Sequence, residues 1–387
     1  MSPQTKAHLR RAVEARGRGG AAPECRRPRV ASVRASGDHT AVQAPRILLL
    51  KIAALGDVVM ASTMIGAARR RWPGAHITWA VGRGYAPVVR RLEGVDAIIE
   101  LDEQALLRGG ILTRSWAAAR FAAALGRKRY DVAVVAHQDP RYARLLALAN
   151  VGELRTMAAP GAVSDANSGI WIGEDYARLI HGAETSAEPA GLAPLRAAVT
   201  RGQSSARRDI VLAPGGARNP LRDDHLRRWP LANWVELATR LASADNNSML
   251  WAIGSAADRA ECAAVAEAAP AENLAGATSL DETMDRIARA SLVITHDSGP
   301  LHLAMLLGTP AIALFGPTDP RRFLAPAADV QVASAAKGLA CAPCYDGHGY
   351  AVCSDNRCLG GVSAERVAEI ALARLTQQSV APSGAAR

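Results

Sequence analysis

Near the carboxyl end, Asp297-Ser298-Gly299-Pro300-Leu301-His302 puts an acid, a hydroxyl, a glycine and an imidazole into one short stretch. The apolar, β-branched run before it, residues 292–295, reads as a buried parallel strand. Pro300 stands where the first turn of a helix would begin, a place where its missing N–H costs nothing. A strand that breaks on glycine into a helix turns free backbone N–H groups and the positive helix end toward one point. Such a point suits an anion, most often phosphate. The competing reading is a plain strand–turn–helix connection in which Asp297 or Ser298 only caps the helix.

Other stretches carry chemistry of the same kind. Gly56-Asp57 follows the apolar run 46–52 and opens a helical pattern, so Asp57 reads either as a helix cap or as a base. Gly215-Gly216 follows another apolar run, and the basic pair Arg227-Arg228 precedes Trp229-Pro230. A basic pair is ordinarily solvated surface, but at a helix start beside an anion-type loop it suits a diphosphate clamp. Gly82-Arg83-Gly84 lacks the third glycine of a dinucleotide fingerprint, and no Gly-Lys-Ser/Thr phosphate loop occurs. Cys341, Cys344, Cys353 and Cys358, with His348 between them, have a spacing open to a four-thiolate structural zinc site, to redox pairing or to unlinked surface thiols.

These residues must be held by regular elements, and the pattern supplies them. Strands are expected at 46–52, 77–81, 97–101, 131–136, 210–213, 249–253, 292–295 and 311–315, with helical stretches between. That alternation means βαβ units and parallel sheets. A helical pattern from Val58 to Arg71 ends in basic residues that suit its dipole. Ser279-x-x-Glu282 is a capping box, Pro230 opens another helix, and residues 363–375 form a last amphipathic one. The expected organisation is a disordered basic leader (1–45), an acceptor half (46–188), a linker (189–208), a second half (209–375) with a cysteine-containing excursion (338–361), and a tail (376–387).

With 387 residues, 49% apolar and 21% charged, the chain has room for two ordinary globular domains. Its net charge is +10, of which the leader, with nine basic and three acidic residues, holds +6. Such a balance favours anionic partners, including phosphorylated sugars, nucleotides or an anionic membrane surface. Nucleic acid is not among them, because no basic stripe with interleaved aromatics appears. No apolar run is long enough to span a bilayer and the amino end lacks an apolar signal core, so a cytoplasmic location is expected.

In order, Ile47 through Val58 with Ala67–Pro73, Leu212 through Gly216 with Arg227–Pro230, and Asp297 through Ala304 continuing to Pro320 together resemble glycosyltransferase family nine, the family of the lipopolysaccharide heptosyltransferases. The resemblance implies an α/β GT-B enzyme in which two Rossmann-like halves face a cleft, with no cofactor and no required metal. It implies an acceptor glycan or glycolipid on the first half, with peripheral contact at the inner membrane. The second half would take a nucleotide-diphospho-sugar, ADP-heptose above others. Asp57 matches the base that deprotonates the acceptor hydroxyl in an inverting displacement. Gly215, Gly216, Arg227, Asp297, Ser298, Gly299 and His302 match the donor site, with Asp258 near the nucleoside. Arg227 stands where the family usually has lysine, and Ala136-His137-Gln138-Asp139 departs from the usual acceptor-side pattern. A secondary-metabolite acceptor, a sugar-nucleotide epimerase and a silent sugar-nucleotide scaffold are the rival readings.

Overall fold

The computed structural model describes residues 44–182, 189–197, 208–218 and 223–380. The expected leader up to residue 43 and half of the expected linker, residues 198–207, lie outside them. The first half contains β1 (Arg46–Leu50), α1 (Leu55–Met60), α2 (Thr63–Arg71), β2 (His76–Gly82), α3 (Ala86–Arg91), β3 (Ala97–Leu101), α4 (Glu103–Arg108), α5 (Ile111–Leu125), β4 (Arg129–Val135), β5 (Asn150–Thr156) and α6 (Ile172–His181). The second contains β6 (Arg208–Ala213), α7 (Leu231–Ala244), β7 (Ser248–Ala252), α8 (Arg259–Ala268), β8 (Ala271–Asn273), α9 (Leu280–Arg289), β9 (Leu292–His296), α10 (Gly299–Leu307), β10 (Ala311–Leu314), α11 (Pro320–Phe323), β11 (Val330–Ala333), α12 (Arg357–Gly360) and α13 (Ala364–Val380).

Each half is built on one parallel sheet, in the orders β3-β2-β1-β4-β5 and β11-β10-β9-β6-β7-β8. The strand order reverses beside β1 in the first sheet and beside β6 in the second. In such sheets the crevice outside the strand carboxyl ends at the reversal is where ligands bind. Gly56-Asp57 follows β1, and Gly215-Gly216 and Asp297-Ser298 follow β6 and β9. Both sets of chemical residues therefore stand at a switch point.

The central strands bury both faces, as in Ile47 to Leu50, which explains their unbroken apolar runs. Three strands were not anticipated: β5, β8 and β11. All three are sheet edges, and β5 (Asn-Val-Gly-Glu-Leu-Arg-Thr) has only exposed and half-buried positions. An edge strand needs only one covered face, so it leaves no apolar run to read. The single helix expected from Val58 to Arg71 is two helices, broken at Ala61-Ser62. Ser279 and Glu282 form the expected capping box on α9.

The domain boundaries shift in two places. Residues 189–197, expected as linker, pack on the first half: Arg196 N–H donates to the Arg91 carbonyl, and Ala193 N–H to Ser62 Oγ. The last helix runs to Val380, into the expected tail. One apolar core continues from the first half into α9 and α10 of the second. Ion pairs add to it, Arg91 with Asp281 and Asp285, and Arg322 with the fully buried Asp175 at 2.6 Å. Among the described residues no helix is long and apolar enough to cross a membrane.

Candidate active site

The amino ends of α1 and α10 converge on a cleft of about 560 Å³ between the halves. Of the expected site residues, Asp57, Gly215, Gly216, Arg227, Asp258, Ser298, Gly299 and His302 line it, while Asp297 lies buried beneath. Contact between the halves is close. A side-chain carbon on Gly56 would fall 2.4 Å from the His302 ring, and one on Gly299 would fall 2.7 Å from Leu55. Two glycines are therefore what lets the two helix ends meet.

Asp57 sits in the first turn of α1 and is more than a cap. Its carboxylate accepts a long bond from Ala54 N–H at 3.5 Å and one from Tyr176 Oη at 3.3 Å. Lys51 Nζ lies 3.4 Å away, almost wholly buried, under the Tyr176 ring. Burial lowers the Lys51 pKa, against the pull of Asp57, and raises that of Tyr176. The Asp57 side chain keeps 40% of its surface exposed, so it is both held and reachable.

On the opposite wall, neither Asp297 nor Ser298 caps α10 with its side chain. Asp297 instead binds Arg227, Oδ2 at 3.0 Å from Nη2, and accepts from Thr318 Oγ1 at 2.8 Å. Arg227 also donates to the Asp297 carbonyl and stands 3.7 Å from Asp224. Burial opposes its charge, but Asp297, Tyr350 and Asp224 outweigh that and raise its pKa. His302 Nε2 lies 3.8 Å from Asp297 Oδ1, and burial holds its imidazole below the ordinary value and neutral. Asp297 Oδ1, His302 Nδ1 and Arg227 Nε are buried with no hydrogen-bond partner among the described residues. Buried polar atoms are rarely left so, and their gathering here marks a place prepared for a polar ligand.

Gly216 takes φ of +90°, a conformation that glycine adopts without strain. Asp258 anchors this loop rather than offering a free carboxylate. Its Oδ1 accepts from Gly216 N–H at 2.9 Å and Arg218 at 2.8 Å, and its Oδ2 from Ser255 N–H and Oγ at 2.8 and 2.6 Å. Burial alone would raise its pKa, but these donors lower it. Arg228, the second of the basic pair, turns away from the cleft to the Gly216 carbonyl and Asp223.

Several contributors were not singled out from the sequence. Lys51 is disguised inside an apolar strand run, and Tyr176 arrives from a helix, 119 positions after Asp57. His296 accepts from Trp229 N–H at 2.8 Å through Nε2, while Nδ1 faces the Gly215 carbonyl at 3.1 Å. It thereby ties the Arg227 segment to the glycine loop, and burial lowers its pKa to about 4. Its signal was a polar residue closing a wholly buried strand.

A second cavity, of about 840 Å³, opens on the other side of Asp57 and Ala54. Lys51, Arg114, His137, Gln138, Asp139 and Arg141 line it, so three of the four residues in the Ala136–Asp139 stretch that departs from the family pattern face it. The 338–361 excursion reaches both cavities, with Tyr345 and Tyr350 in the first and Gly347 and His348 in the second. The thiols of Cys341, Cys344, Cys353 and Cys358 are free, and among the described residues no three Cys, His, Asp or Glu side chains are grouped to hold a metal ion. Cys353 and Cys358 instead bond to Asn356 in a local turn.

Comparison with known proteins agrees with this geometry. The family model described as glycosyltransferase family 9 (heptosyltransferase) matches residues 182–349. Lipooligosaccharide heptosyltransferase 2 of Haemophilus influenzae is 36% identical over 118 residues, 29% of this chain and 32% of that protein. Lipopolysaccharide heptosyltransferase 2 of Salmonella typhimurium is 27% identical over 303 residues, 71% of this chain and 84% of that protein. The structure of E. coli ADP-heptose lps heptosyltransferase II superposes with a TM-score of 0.66 at 24% identity, over 87% of this chain and 100% of that one. Two parallel-sheet halves closed on one cleft, with these matches, make the chain heptosyltransferase-like: residues 182–349 are similar in sequence to the family 9 glycosyltransferases, and the whole is similar to a heptosyltransferase in fold.

Proposed function

We propose that the chain transfers heptose from ADP-heptose to a hydroxyl of the lipopolysaccharide core, with inversion and without a metal. The observation that carries this reading is the cleft itself, where Asp57 faces the Arg227–Asp297–His302 set from the opposite half. The acceptor oxygen attacks the anomeric carbon, the carbon–oxygen bond to the diphosphate breaks, and ADP leaves with the electron pair. Asp57 takes the hydroxyl proton, with Lys51 Nζ 3.4 Å from its carboxylate. Arg227, the N-terminal end of α10 and a neutral, donating His302 stabilise the charge that develops on the departing diphosphate. The relative from Salmonella typhimurium is a lipopolysaccharide heptosyltransferase, and the E. coli neighbour in fold is an ADP-heptose heptosyltransferase.

Metal independence has its own support. A magnesium ion needs several free oxygen ligands, and the buried carboxylates here are largely committed, Asp258 to Arg218 and Ser255 and Asp297 Oδ2 to Arg227 and Thr318, which leaves Asp297 Oδ1 alone. The acceptor side is the cavity beyond Asp57, with Arg114, Arg141 and Lys51 suited to an anionic sugar. The test is mass spectrometry of products from ADP-heptose and a heptose-deficient core acceptor, with and without excess EDTA. Transfer should occur in both and give the inverted anomer. A retained anomer would overturn the displacement, activity restored only by magnesium would overturn metal independence, and turnover with a different nucleotide-sugar alone would overturn the donor.

A further inference from the structure

The hairpin between α4 and α5 presents its apolar residues to solvent. Ile111, Leu112 and Trp116 are 84%, 85% and 63% exposed. Helix α5 already has a buried stripe, Ala117, Phe121 and Leu125, and Leu112 lies across the helix from it. Packing within the fold therefore does not account for the exposed set. Large apolar side chains grouped at a protruding tip mark a contact surface rather than scattered exposure.

The charge around this tip is one-signed. From Gln104 to Leu125 the two helices and the turn between them carry Arg108, Arg114 and Arg120 and no acidic residue. The Arg120 guanidinium lies 4.7 Å from the centre of the Trp116 ring, so cation and indole form one amphipathic unit. An indole and two aliphatic side chains enter the headgroup–acyl boundary, while flanking arginines pair with anionic headgroups. We propose that the α4–α5 tip docks on an anionic lipid surface.

The tip is continuous with the second cavity, because Leu106 of α4 and Arg114 and Ala118 of α5 line it beside Asp57. Docking would hold that cavity at the bilayer, where a lipid-linked acceptor presents its sugar. That consequence rests on the glycolipid reading above. The docking itself does not, and is tested with vesicles that contain no acceptor.

The experiment is flotation of the full chain with vesicles of equal parts phosphatidylglycerol and phosphatidylcholine, or of phosphatidylcholine alone. Binding to the anionic vesicles should fall at least ~10-fold when Ile111→Ser, Leu112→Ser and Trp116→Ser are combined, with the unfolding temperature unchanged. Arg120→Glu should weaken it too, and added salt should act the same way. Bromine-labelled lipid tails should quench tryptophan emission in the wild type and less in Trp116→Phe. Equal binding by the triple variant, which would assign membrane contact to the basic residues before position 46, overturns the proposal. So does the absence of binding by the wild type, or self-association that the triple variant abolishes without any vesicle binding.

Discussion

At the scale of single residues, Asp57 is the base in this reading because it is positioned from three sides yet still reachable. Asp57→Asn should keep donor affinity and folding while turnover falls at least ~100-fold; binding and product assays on one preparation separate the two. Arg227 and His302 act on one diphosphate. Charged hydrogen bonds contribute about 1.5–3 kcal/mol each, so Arg227→Ala should weaken ADP binding by roughly 10-fold or more and adenosine binding little. Its loss also strips Asp297 of its cation, so Arg227→Lys is the gentler companion variant. The Arg227→Ala/His302→Ala pair should be non-additive by about 0.5–3 kcal/mol in calorimetry. Equal losses for ADP and adenosine, or strict additivity, would separate Arg227 from the phosphate site.

His296 makes a pH prediction with a definite sign. Its folded pKa of about 4 lies below the ordinary 6.5, so the unfolded chain binds the extra proton first. Its neutral form costs nothing above pH 6.5, and stability is lost as pH falls from there toward 4. At 1.36 kcal/mol per pH unit the loss is roughly 3 kcal/mol. Urea unfolding at pH 7 and pH 4.5 should show a smaller drop for His296→Gln than for the wild type. Parallel curves would remove His296 from the linkage.

At the scale of elements, the meeting of α1 and α10 is decided by Gly56. Gly56→Ala would place a methyl 2.4 Å from the His302 ring, and overpacking of that kind costs about 1–3 kcal/mol. His302→Ala should restore the melting temperature of Gly56→Ala without restoring activity. If Gly56→Ala is as stable as the wild type, the two helix ends are not in contact. Much at this scale was readable beforehand. The capping box at Ser279, the central strands and the basic end of α2 follow from local rules of propensity and burial. The break at Ala61-Ser62 was not, because both helices that flank it continue the same apolar pattern.

At the scale of the whole molecule, the halves are joined by a continuous core and by buried charge. Arg322 pairs with Asp175 where neither side chain is more than 4% exposed. Arg322→Met would leave Asp175 with Arg178 and Ser164 alone, and breaking a buried pair costs about 3–5 kcal/mol. Urea unfolding should show that loss, and small-angle scattering should show the halves further apart. A variant as stable and as compact as the wild type would mean that the apolar core alone holds the cleft shut.

The sequence by itself determined the architecture and the chemical inventory. Long apolar runs specify central parallel strands because both of their faces are buried, and glycine-broken strand ends specify where the loops must lie. From those alone Asp57, Gly215-Gly216 and the 297–302 loop could be assigned to strand carboxyl ends, whereas the strand order that makes these ends switch points came from the structure. Only the tertiary structure decided what each side chain does there. That Asp297 grips Arg227 rather than capping α10, that Asp258 is consumed by its own loop, and that Lys51 and Tyr176 hold Asp57 all depend on contacts between distant positions. Such contacts leave no periodicity in the chain, because a buried pair is fixed by the packing of whole elements rather than by the residues next to it.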